Sequence, residues 1–346
     1  MKKKNIHILI LSILTVWTTT VSRAQNQVQS VVQESDLKGK WALVIHGGAG
    51  NMDRNSMPAE KIETIRSKIT AALQLGGKAL EDGGSALDAV ELVVRYLEDE
   101  PEFNAGRGAV LNAEGHPEMD ASVMDGKTGK AGAIAGVQRI KNPVTAARRV
   151  MEQTPHVMLI GEGAERFARE QGLELADSVW FVTPGRKADW ERWKMKNRNS
   201  NLKNPDQKEG KGTVGAVALD RNGNLAAATS TGGMTGKMPG RIGDSPVIGA
   251  GTWADNKTCA ISATGHGEFF IRNVVAYDIA ARMEYQRLSL GESAHRVIME
   301  KLVQQGGTGG VIGVDHLGNV TMTFNTTGMI RGSVSSHDSL QVEIFK

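Results

Sequence analysis

The chain has 346 residues, 40% of them hydrophobic, which is enough to bury one large core or two smaller ones. Its formal net charge is only +3 at pH 7 and part of that charge lies at the start of the chain, so no nucleic-acid-binding face is predicted. A single cysteine, Cys259, excludes an internal disulfide, and its apolar neighbours predict a buried side chain.

Residues 1–24 have the composition of a secretory signal peptide. Lysines follow Met1, a mostly apolar run extends from Ile8 to Val16, and small residues precede Gln25 at the spacing of a cleavage site. We therefore predict an exported protein, periplasmic or secreted, with no membrane attachment once the signal is removed. An uncleaved membrane anchor is the alternative interpretation of this segment.

The first part of the folded region predicts one strand and two helices. The apolar run Trp41–Ile45 predicts a buried strand, and the segment HGGAG, His46–Gly50, predicts a glycine turn after it. This turn lacks the residues of a phosphate-binding loop. Apolar residues at helical spacing then predict core-facing helices over Glu60–Glu81 and Ser85–Leu97.

The segment Glu98–Gly108 predicts a compact irregular loop. Its carbonyl groups have few partners in regular structure, and buried carbonyls need a partner. A loop that turns its carbonyls inward suits a monovalent cation such as sodium. A surface loop whose carbonyls bind water is the alternative.

The middle of the chain predicts strands over 119–124 and 131–137, and helices over 143–152 and 162–171. Residues 186–212 differ in character, because they are basic, rich in Asn and Ser, and lack an apolar period. We predict a mobile connector there.

The half of the chain after this connector contains two similar hairpins. The segments Thr213–Met234 and Thr308–Met329 both predict a strand, a Gly-Asn turn and a second strand. Helices are predicted beside them over Arg272–Tyr285 and Gly291–Gln304. Only the first hairpin follows a long connector that could tolerate a cut, so a Gly-Thr step alone does not identify a cleavage site.

Thr213 is the candidate nucleophile. A threonine hydroxyl is weak without a base beside it, but cleavage after Gly212 would give Thr213 a free α-amine with a pKa near ~8. That amine can take the hydroxyl proton within the same residue. Gly212 leaves room for the hydroxyl to make the first cut itself. Without that cut, Thr213 is an ordinary strand residue.

A loop of glycines and prolines after the first hairpin carries the charged pair Arg241 and Asp244. A guanidinium binds a carboxylate through two parallel hydrogen bonds, and a carboxylate binds an ammonium group. Together they predict a site for an amino-acid zwitterion, although a surface ion pair is the alternative. Further on, Thr264 and Gly265 could donate to an oxyanion. His266 could act as a general base, but a free amine at Thr213 already supplies one.

Several long segments carry a specific resemblance: HGGAG, FNAGRGAVLN, MDASVMDG, GTVGAVALD, TSTGGMTGKMPGRIGDSP and SATGHGEFFIR. In this order they resemble the plant-type L-asparaginase and isoaspartyl aminopeptidase family of N-terminal-nucleophile hydrolases. The likeness extends from Lys40 to about Arg331.

The resemblance implies an α+β fold, a four-layer αββα sandwich formed by both products of self-cleavage. After the signal peptide, these are an α subunit of residues 25–212 and a β subunit of residues 213–346. Two such pairs are expected to associate as a heterotetramer. The implied substrates are isoaspartyl dipeptides and L-asparagine, no cofactor is needed for catalysis, and a structural sodium ion is expected.

The resemblance also implies residue roles. Thr213 corresponds to the nucleophile and Thr231 to a hydroxyl beside it, while Thr264 and Gly265 correspond to the oxyanion hole. The substrate residues and the loop next to the nucleophile correspond to Arg241, Asp244, Gly267 and Asn104. The sodium site corresponds to the carbonyl groups of Leu97, Glu98, Glu100, Phe103, Ala105 and Arg107.

The chain departs from the family pattern at His266, where a small residue or threonine is usual, and in its tail, Gly332–Lys346. The first departure affects the pocket for the leaving group. Two alternatives to an isoaspartyl peptidase remain from the sequence: a glycosylasparaginase, which cuts the same amide with a sugar attached, and an exported amino-acid-binding protein without catalysis.

Overall fold

The computed structural model describes residues 39–55, 57–198 and 212–346. The predicted signal peptide, residues 1–24, lies outside the described residues, as does the later part of the predicted connector, residues 199–211.

The strands of the described chain fall into two sheets. Their bounds are β1 Ala42–Gly50, β2 Met119–Asp125, β3 Ala131–Val137, β4 Met158–Ile160, β5 Val214–Leu219, β6 Leu225–Thr231, β7 Thr252–Ala254, β8 Cys259–Gly265, β9 Gly309–Asp315, β10 Val320–Phe324, β11 Gly328–Ser335 and β12 Gln341–Phe345. The larger sheet has the order β12-β11-β1-β5-β6-β2-β3-β4, and the smaller sheet has the order β10-β9-β8-β7.

The helices lie outside the two sheets. They are α1 Ala59–Glu81, α2 Ala86–Asp99, α3 Pro143–Gln153, α4 Gly161–Glu170, α5 Ser178–Phe181, α6 Pro184–Lys196, α7 Gly267–Asn273, α8 Val275–Gln286, α9 Leu290–His295 and α10 Leu302–Gln304, with a π-helical turn over Arg296–Lys301 and a short 3₁₀ turn over Gly106–Gly108. Helix α2 begins after a serine cap, because the Ser85 side chain accepts a hydrogen bond from the Asp88 amide.

The elements form four layers. Helices α1, α2 and α3 pack against the larger sheet, α8 and α9 pack against the smaller sheet, and β1, β5 and β6 contact β8 and β9 between the sheets. This arrangement confirms the predicted αββα sandwich.

Alternation along the strands divides the core between these layers. Leu43 and Ile45 of β1 belong to the core under the helices, whereas Ala42 and Val44 belong to the core between the sheets. Successive side chains of a strand point to opposite faces, so one buried strand supplies two cores. A third cluster, which includes Cys259, lies between the smaller sheet and its helices, and confirms that this cysteine is buried.

The structure differs from the sequence prediction at the segment His46–Gly50. This segment is not a turn but the second half of β1, because β11 pairs with it along its whole length. The pairing shifts register between His46 and Gly48, which marks a β-bulge. The glycines therefore allow the backbone of β1 to bend at this bulge.

Two further segments have more regular structure than predicted. The first part of the predicted connector forms helix α6, and the tail forms β12 and the second half of β11 at the edge of the larger sheet. The helix predicted over Arg272–Tyr285 is interrupted at Val274, whose φ of 48° ends α7 before α8 begins. Among the described residues, no helix has the length and apolar content needed to cross a membrane.

Candidate active site

The peptide bond between Gly212 and Thr213 lies in the middle of the larger sheet, directly before β5. Gly212 has a φ of 101°, a conformation that favours glycine. Its carbonyl oxygen accepts a hydrogen bond of 3.2 Å from the Asn104 amide. On the other side lies the bulge of β1, where a Cβ atom on Gly48 would stand 2.0 Å from the Gly212 Cα. The two glycines thus allow a close approach that holds this bond in place.

The side chain of Thr213 points to the predicted neighbouring hydroxyl. Its Oγ1 donates to the Thr231 Oγ1 over 3.1 Å, and the Gly233 amide donates to the same Thr231 oxygen over 3.0 Å. Thr231 ends β6, which pairs with β5, so the two hydroxyls meet at one end of adjacent strands. The structure therefore brings Thr213 and Thr231 together.

The backbone of Thr213 is fixed by His46, a residue whose role the sequence did not reveal. The fully buried imidazole contacts the Thr213 carbonyl through Nδ1 at 2.9 Å and the Ser262 hydroxyl through Nε2 at 3.0 Å. Burial lowers the pKa of His46 to about 3, so the ring is neutral. Because a carbonyl oxygen only accepts, Nδ1 carries the proton and Nε2 accepts from Ser262. Its one sequence signal is a polar residue directly after an apolar run.

A chain of buried hydroxyls continues from His46 towards the charged loop. Ser262 contacts Thr229 at 2.6 Å, Thr229 contacts Thr252 at 2.6 Å, and Thr252 contacts Ser122 at 2.8 Å. Ser122 donates to the Ser245 carbonyl at 2.6 Å. Hydrogen bonds of this kind satisfy polar groups between the sheets and couple the positions of Thr213 and the loop.

A cavity of about 270 Å³ opens beside Thr213. Four other residues predicted for the site line it, namely Gly212, Asn104, Thr264 and Gly265. The cavity is also lined by Thr308, the threonine that begins the second hairpin. The two Gly-Thr steps therefore face the same space, from different sheets.

Asn104 connects the loop before β2 with the backbone next to Thr213. Its side chain donates to the Gly233 carbonyl at 2.7 Å and accepts from the Val110 amide at 2.9 Å, and its own carbonyl accepts from the Gly232 amide at 3.0 Å. The backbone amide of Asn104 donates to the Gly212 carbonyl, so every polar group of Asn104 has a hydrogen-bond partner. The residue therefore fixes Gly212, which precedes Thr213, and the two glycines that follow Thr231.

The predicted oxyanion residues end strand β8. Thr264 is buried, and its Oγ1 accepts from the Ala49 amide at 3.2 Å. Gly265 follows it and also lines the cavity. The structure therefore places both residues in the lining of the cavity that contains Thr213.

Arg241, Asp244 and Gly267 lie close to one another, outside the set of residues that line the cavity. A Cβ on Gly267 would stand 2.8 Å from the Asp244 Oδ1 and 3.0 Å from the Arg241 Nη2, and a Cβ on Gly233 would stand 3.4 Å from the Arg241 Nη1. Arg241 thus lies close to Gly233, which lines the cavity, and Asp244 lies close to Gly267.

Asp244 is a buried carboxylate without a strong partner. Its Oδ2 has no hydrogen-bond partner among the described residues. Burial raises the pKa of Asp244 to about 7, although the Arg241 charge lowers it. Burial of a carboxylate oxygen without a partner raises the free energy of the folded chain, and a cation bound there would offset this penalty.

Arg241 is held by Glu268, which the sequence analysis did not single out. The Arg241 Nε contacts the Glu268 Oε1 and its Nη2 contacts the Oε2, each at 2.9 Å. This bidentate pair occupies one edge of the guanidinium and leaves Nη1 towards Gly233. Glu268 lies in the first turn of α7, directly after Gly267, and that adjacency was its only sequence signal.

The loop Glu98–Gly108 turns carbonyl groups towards its own glycines. A Cβ on Gly106 would stand 2.4 Å from the Glu98 carbonyl oxygen, and a Cβ on Gly108 would stand 1.9 Å from that of Phe103. The carbonyls of Leu97, Glu100 and Ala105 accept backbone hydrogen bonds within the same segment. Among the described residues no cluster of His, Cys, Asp or Glu side chains could hold a metal. Any ion in this loop would therefore depend on carbonyl oxygens.

Comparisons with known proteins agree with this geometry. Residues 39–344 match the family model Asparaginase_2, described as asparaginase. The chain is 51% identical over 311 residues to the isoaspartyl peptidase of Escherichia coli K12, covering 89% of this chain and 97% of that protein. It is 42% identical over 331 residues to the probable isoaspartyl peptidase/L-asparaginase 2 of Arabidopsis thaliana, covering 89% of this chain and 100% of that protein. The isoaspartyl peptidase/L-asparaginase of Xenopus laevis is 43% identical over 307 residues, covering 88% of this chain and 96% of that protein.

These comparisons contradict the prediction that the chain is exported. The relatives from bacteria, plants and vertebrates are named as isoaspartyl peptidases, and none of these names denotes a periplasmic or secreted protein. The family match begins at residue 39, so the segment that prompted the prediction lies outside the shared region. A basic start followed by an apolar run was therefore an insufficient basis, and the prediction of export was wrong.

Proposed function

The chain belongs to the Asparaginase_2 family, and from this membership we propose that it is a self-cleaving threonine amidohydrolase of isoaspartyl dipeptides and L-asparagine. The names of its relatives supply the substrate class, isoaspartyl peptidase and L-asparaginase. The observation that carries the proposal is the setting of the Gly212–Thr213 bond. The Gly212 carbonyl accepts a hydrogen bond from the Asn104 amide, and Gly212 has a positive φ. The Thr213 hydroxyl is hydrogen-bonded to that of Thr231.

Self-cleavage would begin with attack of the Thr213 Oγ1 on the Gly212 carbonyl carbon. The hydrogen bond from the Asn104 amide would stabilise the oxygen that becomes negative in this step. The C–N bond then breaks, the Thr213 nitrogen takes a proton, and an ester joins Gly212 to the Thr213 oxygen. Water hydrolyses that ester and leaves a free hydroxyl and a free α-amine on Thr213.

The same residue would then hydrolyse the substrate. The α-amine takes the proton of Oγ1, which attacks the β-carbonyl carbon, and Thr264 and Gly265 would stabilise the oxyanion. The amine of the leaving residue, or ammonia from asparagine, departs with a proton and leaves an aspartyl ester on Thr213. Water then releases L-aspartate. Every proton and bond is supplied by the chain, the substrate and water, so this reaction needs no cofactor.

Arg241 and Asp244 would bind the part of the substrate that does not react. Arg241 still has its Nη1 side available after pairing with Glu268, which suits an α-carboxylate. The unpaired Asp244 carboxylate suits an α-ammonium group, with the Gly267 carbonyl as a second acceptor. Both substrates share this aspartyl half and differ only in the leaving group.

We extend the proposal to chain organisation. Cleavage would give an α chain that ends at Gly212 and a β chain of residues 213–346, which together make one αββα domain. Two such pairs would associate as a heterotetramer. The exposed apolar residues Val157, Met158 and Ile160 at the β4 edge of the larger sheet support association, because such an edge is usually covered.

A structural sodium ion in the loop Glu98–Gly108 is also part of the proposal. The fit depends on the carbonyls of Glu98 and Phe103, which face glycine positions that any Cβ would fill. The ion would be held by the carbonyls of Leu97, Glu98, Glu100, Phe103, Ala105 and Arg107 and would fix the loop that carries Asn104.

The proposal is tested by mass spectrometry of purified protein together with an assay of aspartate release. Wild type is expected to give two fragments split before Thr213 and to release aspartate from an isoaspartyl dipeptide and from asparagine. Thr213→Ala is expected to remain one chain without activity. Thr308→Ala, the matched Gly-Thr step in the second hairpin, is expected to be cleaved normally. An active preparation with an unbroken chain would refute the mechanism.

A further inference from the structure

Lys237 is a fully buried lysine in the loop that carries Arg241. Its Nζ donates to the Glu118 carbonyl at 2.7 Å. Its backbone is held as well, because the amide donates to the Met234 carbonyl at 3.0 Å and the carbonyl accepts from the Ala113 amide at 2.8 Å. Lysine is almost never fully buried unless it is paired, so a lysine at this position needs a specific explanation.

Glu118 fastens the same loop at a second point. Its carboxylate accepts from the Gly240 amide, at 3.1 Å to Oε1 and 3.2 Å to Oε2. Glu118 directly precedes strand β2, and Gly240 directly precedes Arg241. Both ends of the segment 237–240 are therefore tied to the start of a strand, which restrains the backbone from which the Arg241 side chain extends.

The Lys237 side chain and the Nη1 side of Arg241 meet at the same glycine. A Cβ on Gly233 would stand 2.9 Å from the Lys237 Cδ, 3.0 Å from its Nζ and 3.4 Å from the Arg241 Nη1. Gly233 has a φ of 80°, lines the cavity, and donates its amide to the Thr231 hydroxyl. Lys237 thus packs against Gly233 next to the guanidinium, whereas Glu268 binds the Nε and Nη2 side of Arg241.

Acidic groups of β2 and of the residue before it lie near Lys237. Burial lowers the pKa of Lys237, Asp120 and Glu118 raise it, and Arg241 lowers it. Asp120 is fully buried, its Oδ1 accepts from the Gly136 amide at 2.9 Å, and its Oδ2 has no hydrogen-bond partner among the described residues. Burial raises the pKa of Asp120, and the Lys237 charge lowers it. Lys237 and Asp120 therefore each stabilise the charged form of the other.

We propose that Lys237 is a positioning residue of the substrate carboxylate site, where it holds Arg241 with the Nη1 side free to bind the α-carboxylate. This inference rests on the proposed function, since it assumes that Arg241 binds the aspartyl half. Lys237 is fully buried and does not line the cavity, so it acts through Arg241 and Gly233 and does not touch the substrate. Because a guanidinium binds a carboxylate in a defined geometry, displacement of Arg241 weakens substrate binding.

The experiment compares Lys237→Met with wild type in the hydrolysis of L-asparagine and of β-aspartyl-leucine. Methionine keeps an apolar stem against Gly233 and removes the donor to Glu118. We expect KM to rise by about 10-fold, as for one weakened charge-assisted hydrogen bond, with kcat within about 2-fold of wild type. The factor should be the same for both substrates, because they share the aspartyl half.

Self-cleavage serves as an internal control, because it uses the same nucleophile but no substrate carboxylate. Lys237→Met is expected to give two fragments at the wild-type rate, measured on denaturing gels. Lys301→Met is the matched control, since it removes an ammonium group that donates to Asp278 at 2.9 Å, outside the substrate loop. This variant is expected to keep the wild-type KM and the wild-type rate of self-cleavage.

A second variant decides the question if Lys237→Met does not fold. Glu118→Gln removes the carboxylate charge that binds the Gly240 amide and keeps the carbonyl that accepts from Lys237. We expect KM to rise by about 3-fold, because a hydrogen bond to a neutral acceptor is weaker, with kcat and self-cleavage unchanged. An unchanged KM in this variant would contradict the inference.

The outcomes distinguish this inference from the function on which it rests. If wild type remains one chain or hydrolyses neither substrate, the proposed function fails. If wild type is active but Lys237→Met keeps the wild-type KM, Lys237 does not position Arg241. If Lys237→Met instead loses kcat and self-cleavage together with substrate binding, Lys237 supports the whole site, and the inference is wrong in that case too.

Discussion

At the scale of single residues, a buried neutral imidazole contacts the backbone of Thr213, the proposed nucleophile. The ring is held by Ser262 on one side and binds the Thr213 carbonyl on the other. Because burial lowers the pKa of His46 to about 3, this contact persists across the physiological pH range. It restrains the residue whose hydroxyl must reach the Gly212 carbonyl.

Removal of this contact should slow maturation. In His46→Ala the Thr213 carbonyl and the Ser262 hydroxyl both lose a partner, at a cost of about 1–3 kcal/mol. We expect the rate of self-cleavage to fall by about 10-fold or more, measured as the fraction of two-fragment protein against time on denaturing gels. His316→Ala removes a similar contact between a ring nitrogen and a backbone carbonyl, to Thr258 at 3.2 Å, and should mature normally. Equal rates in the two variants would contradict the role of His46.

Glu98 provides a second residue-scale prediction, on stability. Its carboxyl is fully buried, and burial raises its pKa to about 8, while hydrogen bonds from Ser230 and Val144 lower it. The folded chain therefore keeps a proton that the unfolded chain releases at its ordinary pKa of 4.5. The stability from this group is fully present below that pH and is lost as pH rises through about 8.

Glu98→Gln should remove this pH dependence. Between pH 5 and 8 the wild-type free energy of unfolding should carry a one-proton slope from Glu98, at most about 1.4 kcal/mol per pH unit, and the variant should lack it. Urea unfolding at several pH values measures the difference between the two proteins. Glu162→Gln, a substitution of an exposed residue at the start of α4, should leave the slope unchanged. Parallel curves for wild type and Glu98→Gln would refute the assignment.

At the residue scale, the sequence singled out groups that lie close together in the chain. Thr213, Arg241 and Asp244 were identified from a cut site and a charged loop, and the structure places Thr213 in the lining of the cavity and the charged pair next to that lining. His46 was missed because its partner Ser262 is distant in sequence and belongs to the other sheet. Glu268 was missed because its pairing with Arg241 depends on how α7 begins, which no local pattern indicates.

At the scale of elements, helix α6 connects the end of the proposed α chain to the substrate loop. Trp193 is almost fully buried, and a Cβ on Gly236 would stand 2.0 Å from its ring. At the start of the helix, Arg186 donates to the Gly108 carbonyl, in the loop that carries Asn104. The helix thus supports both loops around Thr213, although it ends before the proposed cut.

Truncation of Trp193 should therefore affect the site as well as stability. Trp193→Ala is expected to lower the free energy of unfolding by about 3 kcal/mol and to raise KM for both substrates, because the loop with Arg241 loses its support. Calorimetry and steady-state kinetics on the processed enzyme measure the two effects. Met195→Ala on the same helix is the matched control, since Met195 is 75% exposed. An unchanged KM in Trp193→Ala would show that α6 is only a structural element.

Element prediction failed where pairing between distant segments decided the outcome. Helices with an apolar period, such as α1 and α3, begin and end close to their predicted bounds. The glycines of His46–Gly50 instead indicated a turn, because their strand character depends on β11 from the far end of the chain. For α6, the basic and polar composition concealed the contacts made by the buried Trp193 and the partly buried Arg186.

At the scale of the whole molecule, the two predicted hairpins occupy different sheets. The first forms β5 and β6 in the larger sheet, and the second forms β9 and β10 in the smaller sheet. Each turn uses the same contact, in which Asp220 accepts from the Asn224 amide and Asp315 accepts from the Asn319 amide. The sequence predicted the repeat, but the packing of one copy against the other depends on the cores of both sheets.

The larger sheet also determines what cleavage can do to the molecule. Strand β1 lies between β11 and β5, and β2 pairs with β6, so strands from before Thr213 pair with strands from after it at three places in the sheet. Backbone hydrogen bonds and the shared core would continue to join the two fragments after the bond is cut. Cleavage is thus expected to free the Thr213 amine without releasing either fragment.

We therefore predict that the fragments of the processed protein separate only when the fold is lost. Size-exclusion chromatography with light scattering, in increasing urea, should give both fragments in one peak up to the concentration at which the circular dichroism of the sheets disappears. Thr213→Ala, which cannot be cut, should show a similar transition in circular dichroism but no change in chain number. Because the two fragments contribute neighbouring strands to one sheet, neither can leave without exposing unpaired strand edges and the apolar core. Separation of the fragments while the circular dichroism is still native would show that the sheet is not shared in this way.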